Sequence, residues 1–215
     1  MNISGPAAWH HSCGIGVPLI ASETMPESAR RSGLPADAIK AVLFDLDGTL
    51  LDTAPDLIHA ANQLRAEQGL QPLVDGIYGS VVSHGSAAMI QRSFNIALDD
   101  PRMQVLRGRF LELYGASVSR TTRPFDGILP LLDGIEQRGL QWGVVTNKPG
   151  WLTHPLLRSL DLEERSACIV SGDTLPCRKP DPAPVEHACD LLGVHPSQAV
   201  ILGDAMRDVD RKSVV

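Results

Sequence analysis

The sequence predicts an α/β fold, a Rossmann-like, doubly wound parallel sheet interrupted after its first strand by a helical insert. Three observations carry that reading. Four short apolar runs, "IKAVLFDLD", "QWGVVTN", "ACIVS" and "AVILGD", have the character of parallel strands buried on both faces. Beyond residue 125 these runs alternate with helical patterns, the grammar of a parallel sheet with crossover helices. Between residues 53 and 124 only helical patterns occur.

Residues 1–38 are rich in Gly, Pro, Ser and Ala without sustained periodicity and read as a poorly ordered extension. His10 and His11 are adjacent there, but no matching ligand set follows. Order starts at Ile39 with the first strand. Thr53 and Asp56 are spaced as a T-x-x-D capping box with Pro55 in the first turn. The helix they open carries Leu57, Ile58, Ala61 and Leu64 at helical spacing, and Gly69 closes it. A second helix is expected from Gly85 to Leu98, stopped by Asp99-Asp100-Pro101. A third spans residues 102–114, with Leu106, Phe110 and Leu113 on one face. After "RPFDG" a helix through Ile128, Leu131, Leu132 and Ile135 ends at Gly139 and feeds the second strand. Helices over residues 151–160 and 184–192 precede the third and fourth strands.

The bulk properties narrow the function. The chain of 215 residues is 43% hydrophobic and 20% charged, enough for one buried core and a small second unit. A formal net charge of -6 argues against a nucleic-acid binder, which would show a basic stripe. Cys13, Cys168, Cys177 and Cys189 are irregularly spaced without a CxxC, as expected of reduced thiols in the cytoplasm. No apolar run approaches the roughly 18 residues of a membrane span. The N-terminal "GIGVPLI" is too short for a signal peptide and is broken by Gly and Pro.

Polar residues collect where the strands end. The first strand runs into Asp45 and Asp47, the second into Thr146-Asn147-Lys148. The third leads through Gly172-Asp173 toward Arg178-Lys179-Pro180, and the fourth into Gly203-Asp204 with Asp208 four residues on. Ligands bind at the carboxyl ends of strands in open parallel sheets, so these segments are expected to share one crevice. Residues i and i+2 leaving a strand point to one side, which aims Asp45 and Asp47 together and turns Leu46 into the core. Clustered carboxylates need a cation, and with Asp204 the set suits Mg²⁺. Beside a cation, Asp45 can stay ionised and attack as a nucleophile, and Asp47 can serve as general acid and then base. Thr146 and Lys179 suit the non-bridging oxygens of a phosphoryl group. Taken singly, each has a plainer reading: a solvated turn for the D-x-D, a strand-end hydroxyl for Thr146, a surface lysine for Lys179. Their occurrence in order at four strand ends favours the joint reading.

The segments "DLDGTLLDT", "VVTNKP", "KPDP" and "GDAMRD" resemble the four motifs of the haloacid dehalogenase superfamily of phosphohydrolases, over about residues 40–210. The resemblance implies an aspartyl-phosphate on Asp45, acid/base catalysis by Asp47, and phosphate binding by Thr146, Asn147 and Lys179. It implies Mg²⁺ held by Asp45, Asp204 and the Asp47 backbone carbonyl, with Asp208 in support. It also implies a discontinuous core, residues 39–52 and 125–215, and a helical cap over residues 53–124. In the cap, "VVSHGSAAMI" is expected to carry specificity, with His84 and Arg123 near the substrate; the competing reading of His84 is a loop histidine without contact. "WGVVTNKP", "RPFDG" and "ERSA" are similar to the phosphoglycolate phosphatase group and its branch acting on N-acetylmuramic acid 6-phosphate in cell-wall recycling. The implied partner is a small phosphorylated metabolite, with neither nucleic acid nor membrane involved.

Members of that superfamily continue past the last motif through another strand and helix, whereas "DVDRKSVV" does not resemble that part. The expectation is a truncated or frameshifted reading frame whose Asp204 strand becomes a sheet edge. Two alternatives therefore stay open. One is a poorly folded remnant, or one that binds without turnover. The other is a sugar-phosphate mutase, which shares the four motifs, although nothing in the cap suggests one.

Overall fold

A computed structural model describes residues 38–79 and 81–209. The expected extension, with His10, His11 and Cys13, lies outside the described residues apart from Ala38. Four parallel strands form the main sheet. β1 (Ala41–Phe44) lies between β4 (Gln141–Val145) and β6 (Ala199–Leu202), and β5 (Cys168–Val170) flanks β4, in the order β5-β4-β1-β6. The register aligns Ala41 with Gln141 and with Ala199, so the strands end together.

Two apolar layers sandwich this sheet. On one face Phe44, Trp142 and Val144 pack against Leu132 and Ile135 of α4 (Ile128–Gln137) and Leu156 and Leu157 of α5 (Gly150–Ser159). On the other, Leu43, Val145 and Val170 pack against Val185, Ala188 and Leu192 of α6 (Ala183–Leu192). Burial on both faces explains why the strands lack alternation. β6 is an edge among the described strands, and its side chains do alternate. Ala199 and Ile201 pack toward α6, while Val200 is 39% and Leu202 37% exposed. A short helix, α7 (Met206–Val209), follows, the last among the described residues.

The insert has its own apolar core. α1 (Ala54–Glu67), α2 (Ser86–Phe94) and α3 (Met103–Gly115) bury Leu57, Leu64, Met89, Ile90, Leu106 and Phe110 against one another. Two expectations for this region need correction. The second helix ends at Phe94, not Leu98, because Asn95 adopts a left-handed conformation (φ 51°) and its N–H closes on Gln91. On α3 Leu113 packs partly buried against the insert's core as expected, and the fully buried line from Leu106 and Phe110 continues at i, i+4, i+8 to Tyr114. The region also holds a strand: Arg123–Pro124 (β3) pairs antiparallel with Leu51–Asp52 (β2), forming the ribbon where the chain enters and leaves the insert.

The capping box is likewise absent. Thr53 makes no side-chain cap on α1; its hydroxyl donates to Asp47 Oδ1 at 2.7 Å. Asp56, fully buried, accepts hydrogen bonds from the backbone N–H and hydroxyl of both Thr121 and Thr122. The two residues thus serve tertiary contacts at the mouth of the insert, which outcompete local capping. No helix among the described residues is long and apolar enough to cross a membrane.

Candidate active site

The carboxyl ends of β1, β4, β5 and β6 converge as the sequence predicts. Asp45 directly follows β1, and its N–H donates to Leu202 O of β6, so the ladder holds its backbone in place. Leu46 is fully buried, which sends Asp45 and Asp47 to the opposite side. Asp45 is 2% exposed. Its Oδ1 lies 2.9 Å from Lys179 Nζ, and Arg207 Nη2 is 3.7 Å from its Oδ2. Oδ2 itself has no hydrogen-bond partner among the described residues. Burial pushes the Asp45 carboxyl above the ordinary carboxylate range, against the pull of Lys179 and with the push of Asp208 and Asp47.

Asp45, Asp204 and Asp208 bring carboxylate oxygens within 4.8 Å of one another. Asp208 is fully buried at its carboxylate, ion-paired with Lys179 Nζ at 2.6 Å, and accepts from Ala205 N–H at 3.0 Å. Asp204 is exposed and accepts from Thr49 Oγ1 at 3.4 Å and from Ser83 Oγ of the insert. The Lys179 ammonium and the more distant Arg207 guanidinium do not balance three gathered carboxylates, and Asp45 Oδ2, which accepts no hydrogen bond among the described residues, presents a ready ligand. The donor set therefore fits a hard divalent cation.

Asp47 is oriented differently. Its Oδ1 receives the Thr53 hydroxyl and the Lys148 ammonium, each at 2.7 Å, and its carboxylate lies outside the acidic cluster. Lys148 is buried and lies 4.4 Å from the ring centroid of Tyr114, at the end of α3. Burial works against its charge, but Asp47 and Tyr114 more than offset that and hold the ammonium above its ordinary range. Burial pushes the Tyr114 phenol up to about 12, with Lys148 opposing.

The polar end of β4 is pinned from several sides. Lys148 N–H donates to Thr146 Oγ1 at 3.1 Å, leaving the hydroxyl proton for a ligand. Asn147 Nδ2 donates to Lys179 O at 2.9 Å, tying this loop to the lysine-bearing one. Gly172 lies so close that a Cβ there would collide with the Asn147 carbonyl.

Between these groups and the insert lies a cleft of about 200 Å³. Asp47, Thr146, Asn147 and Lys148 line its core wall; Val82, His84, Met89, Arg107, Phe110 and Tyr114 line the insert's wall. Asp45 and Lys179 are buried and are not among the lining residues. His84 lines the cleft. Arg123 does not: it is exposed on β3, paired in the ribbon with Asp52. The reading of the residues did not single out Lys148, Tyr114, Arg107 or Arg207 for the site. Lys148 alone carried a signal, a lysine directly following two assigned residues.

Comparison with known proteins shows the family. The haloacid dehalogenase-like hydrolase family model matches residues 42–211. An N-acetylmuramic acid 6-phosphate phosphatase from Pseudomonas aeruginosa is 45% identical over 172 residues, covering 80% of this chain and 76% of the relative. A phosphoglycolate phosphatase from Xanthomonas campestris is 42% identical over 170 residues, 79% of this chain and 76% of the relative. The solved structure of a predicted phosphoglycolate phosphatase from Haemophilus somnus superposes with a TM-score of 0.71 at 25% identity, covering 82% of this chain and 80% of that one. The chain belongs to the haloacid dehalogenase-like hydrolases and is a phosphatase of that family.

Proposed function

We propose that this phosphatase hydrolyses small phosphorylated metabolites through a phosphoryl group carried on Asp45, with N-acetylmuramic acid 6-phosphate or 2-phosphoglycolate as substrate. The observation that carries the reading is the buried Asp45 carboxylate, one oxygen fixed by Lys179 and the other without a hydrogen bond beside Asp204, with Arg207 3.7 Å away. Asp45 attacks phosphorus, and the bond to the leaving oxygen breaks. Asp47 gives that oxygen a proton, then takes one from the water that releases phosphate. Thr53 and Lys148 both hold Oδ1 of Asp47, which leaves Oδ2 for the proton. Thr146, Asn147 and Lys179 bind the non-bridging oxygens.

Asp45, Asp204 and the Asp47 backbone carbonyl, supported by Asp208, would hold Mg²⁺. The ion would supply charge neutralisation at the phosphoryl oxygens. Residues 53–124 act as a cap over the core formed by residues 39–52 and 125–215, with His84 and Tyr114 facing the substrate. We further read the protein as cytoplasmic, since Cys168, Cys177 and Cys189 are all free thiols.

Phosphate release with Mg²⁺, measured on both substrates side by side, tests the reading. Release identifies the phosphomonoesterase and its preferred substrate. Binding without release, or phosphate returned to a sugar, overturns it.

A further inference from the structure

The insert carries three arginines on or beside α3, and they are treated differently. Arg102 is paired with Asp100 at 2.8 Å, and Arg109 with Glu67 at 2.7 Å and Glu112 at 2.9 Å. Arg107 has no carboxylate partner among the described residues. Its Nε donates to Ser86 Oγ at 2.7 Å, which fixes the guanidinium plane and leaves both terminal nitrogens uncommitted to any acid. It is half-buried and lines the same cleft as Asp47 and Thr146. A half-buried, unneutralised guanidinium is costly to maintain without an anion to receive it.

The phosphoryl group does not account for Arg107. That group is served by the core wall, where Lys148 is already bound to Asp47, Arg207 leans on Asp45 and the exposed Arg178 also lines the cleft. Arg107 stands on the insert's wall with apolar Val82, Met89 and Phe110, and Asp47 is the sole acidic side chain among the lining residues. The cleft thus offers a phosphoryl site on one wall and a planar, forked cation on the other. That fork matches a carboxylate bidentately.

We infer that Arg107 selects phosphomonoesters that carry a carboxylate, binding it through its two terminal nitrogens while Ser86 holds the guanidinium. The inference rests on the phosphatase reading and narrows its substrate class. It accounts for what the two substrates proposed above share: the glycolate carboxylate in one and the lactyl carboxylate of the muramic acid in the other. It also moves the expected specificity arginine from Arg123 to Arg107.

The test compares matched substrate pairs with Mg²⁺: N-acetylmuramic acid 6-phosphate against N-acetylglucosamine 6-phosphate, and 2-phosphoglycolate against ethyl phosphate. The quantity read is the ratio of kcat/KM within each pair. The wild type should favour the carboxylated member of at least one pair. Arg107→Gln should collapse that ratio by about 10- to 100-fold, mainly through KM, as expected for a lost charged hydrogen bond. Arg107→Lys keeps the charge without the fork and should restore only part of the ratio; it decides the matter if Arg107→Gln does not fold. Arg109→Gln, outside the cleft, should leave the ratio as it is. A wild type without preference in either pair, or an unchanged ratio in both Arg107 variants, overturns the inference while leaving the phosphatase reading intact. No release from any substrate, p-nitrophenyl phosphate included, overturns both.

Discussion

Lys148 and Asp47 form a 2.7 Å ion pair at the floor of the cleft, with the Tyr114 ring 4.4 Å from the same ammonium. A residue of the insert and the proposed acid/base are thereby joined through one buried lysine. Lys148→Met keeps the stem and removes the charge, leaving the Asp47 carboxylate with Thr53 alone. The expected result is a folded protein with kcat lowered by about 10- to 100-fold, since a positioned acid/base is worth that order or more. Steady-state kinetics with p-nitrophenyl phosphate, alongside circular dichroism, checks it; an unchanged kcat would show that Asp47 needs no such support.

Asp56 gives a prediction with a sign. Burial alone would raise its carboxyl, but the hydrogen bonds from Thr121 and Thr122 more than offset this and hold it below the ordinary value of 3.8. A carboxylate depressed on folding stabilises the protein fully above its unfolded pKa, and that stability is lost as pH falls through the folded value. Asp56→Asn should therefore cost about 2–3 kcal/mol at pH 7, the scale of hydrogen bonds to a charged group. The gap between variant and wild type should narrow below about pH 4, where the wild-type carboxyl begins to protonate. Denaturant unfolding at both pH values measures it; a gap independent of pH contradicts the clamp.

Gly48 sits in the turn between Asp47 and Thr49 at φ 86°, and a Cβ there would collide with Asp204 Oδ2. Gly48→Ala should add roughly 1–2 kcal/mol of backbone strain and push Asp204 out of the acidic cluster. The expected outcome is a folded protein whose Mg²⁺ requirement for activity rises. Titrating activity against Mg²⁺ checks it, and an unaltered midpoint would remove Asp204 from the ligand set.

The α4/α5 face of the sheet is covered at its centre and open at the β6 edge, a difference that valine substitutions can read. Val144 is fully buried on β4, whereas Val200 on the β6 edge is 39% exposed. Val144→Thr buries a hydroxyl in an apolar layer and should cost about 1–3 kcal/mol. Val200→Thr should stay within about 0.5 kcal/mol. Equal losses in thermal unfolding would mean that the exposed face of β6 is covered in solution.

Much of this was legible from residue order because each strand is an unbroken apolar run ending in polar groups. "AVLF" before Asp45 and "AVIL" ahead of Asp204 mark both the strands and the site edge they share. What escaped depends on contacts between distant segments. Thr53 and Asp56 have the spacing of a cap but answer to Asp47 and to Thr121 and Thr122, partners the local pattern does not display. Tyr114 and Arg107 look like ordinary helix residues until the insert folds over Lys148 and Thr146. The β2–β3 ribbon is two residues per strand, too short to leave a periodicity.

The central claim is that Asp45 is the nucleophile. Asp45→Asn preserves shape and removes the attacking carboxylate, so its phosphate release with Mg²⁺ is the most direct measurement, with circular dichroism confirming the fold. The account predicts a loss of at least about 10³-fold relative to the wild type, the scale seen when a nucleophile is removed. A folded Asp45→Asn protein that still releases phosphate at a comparable rate would contradict it.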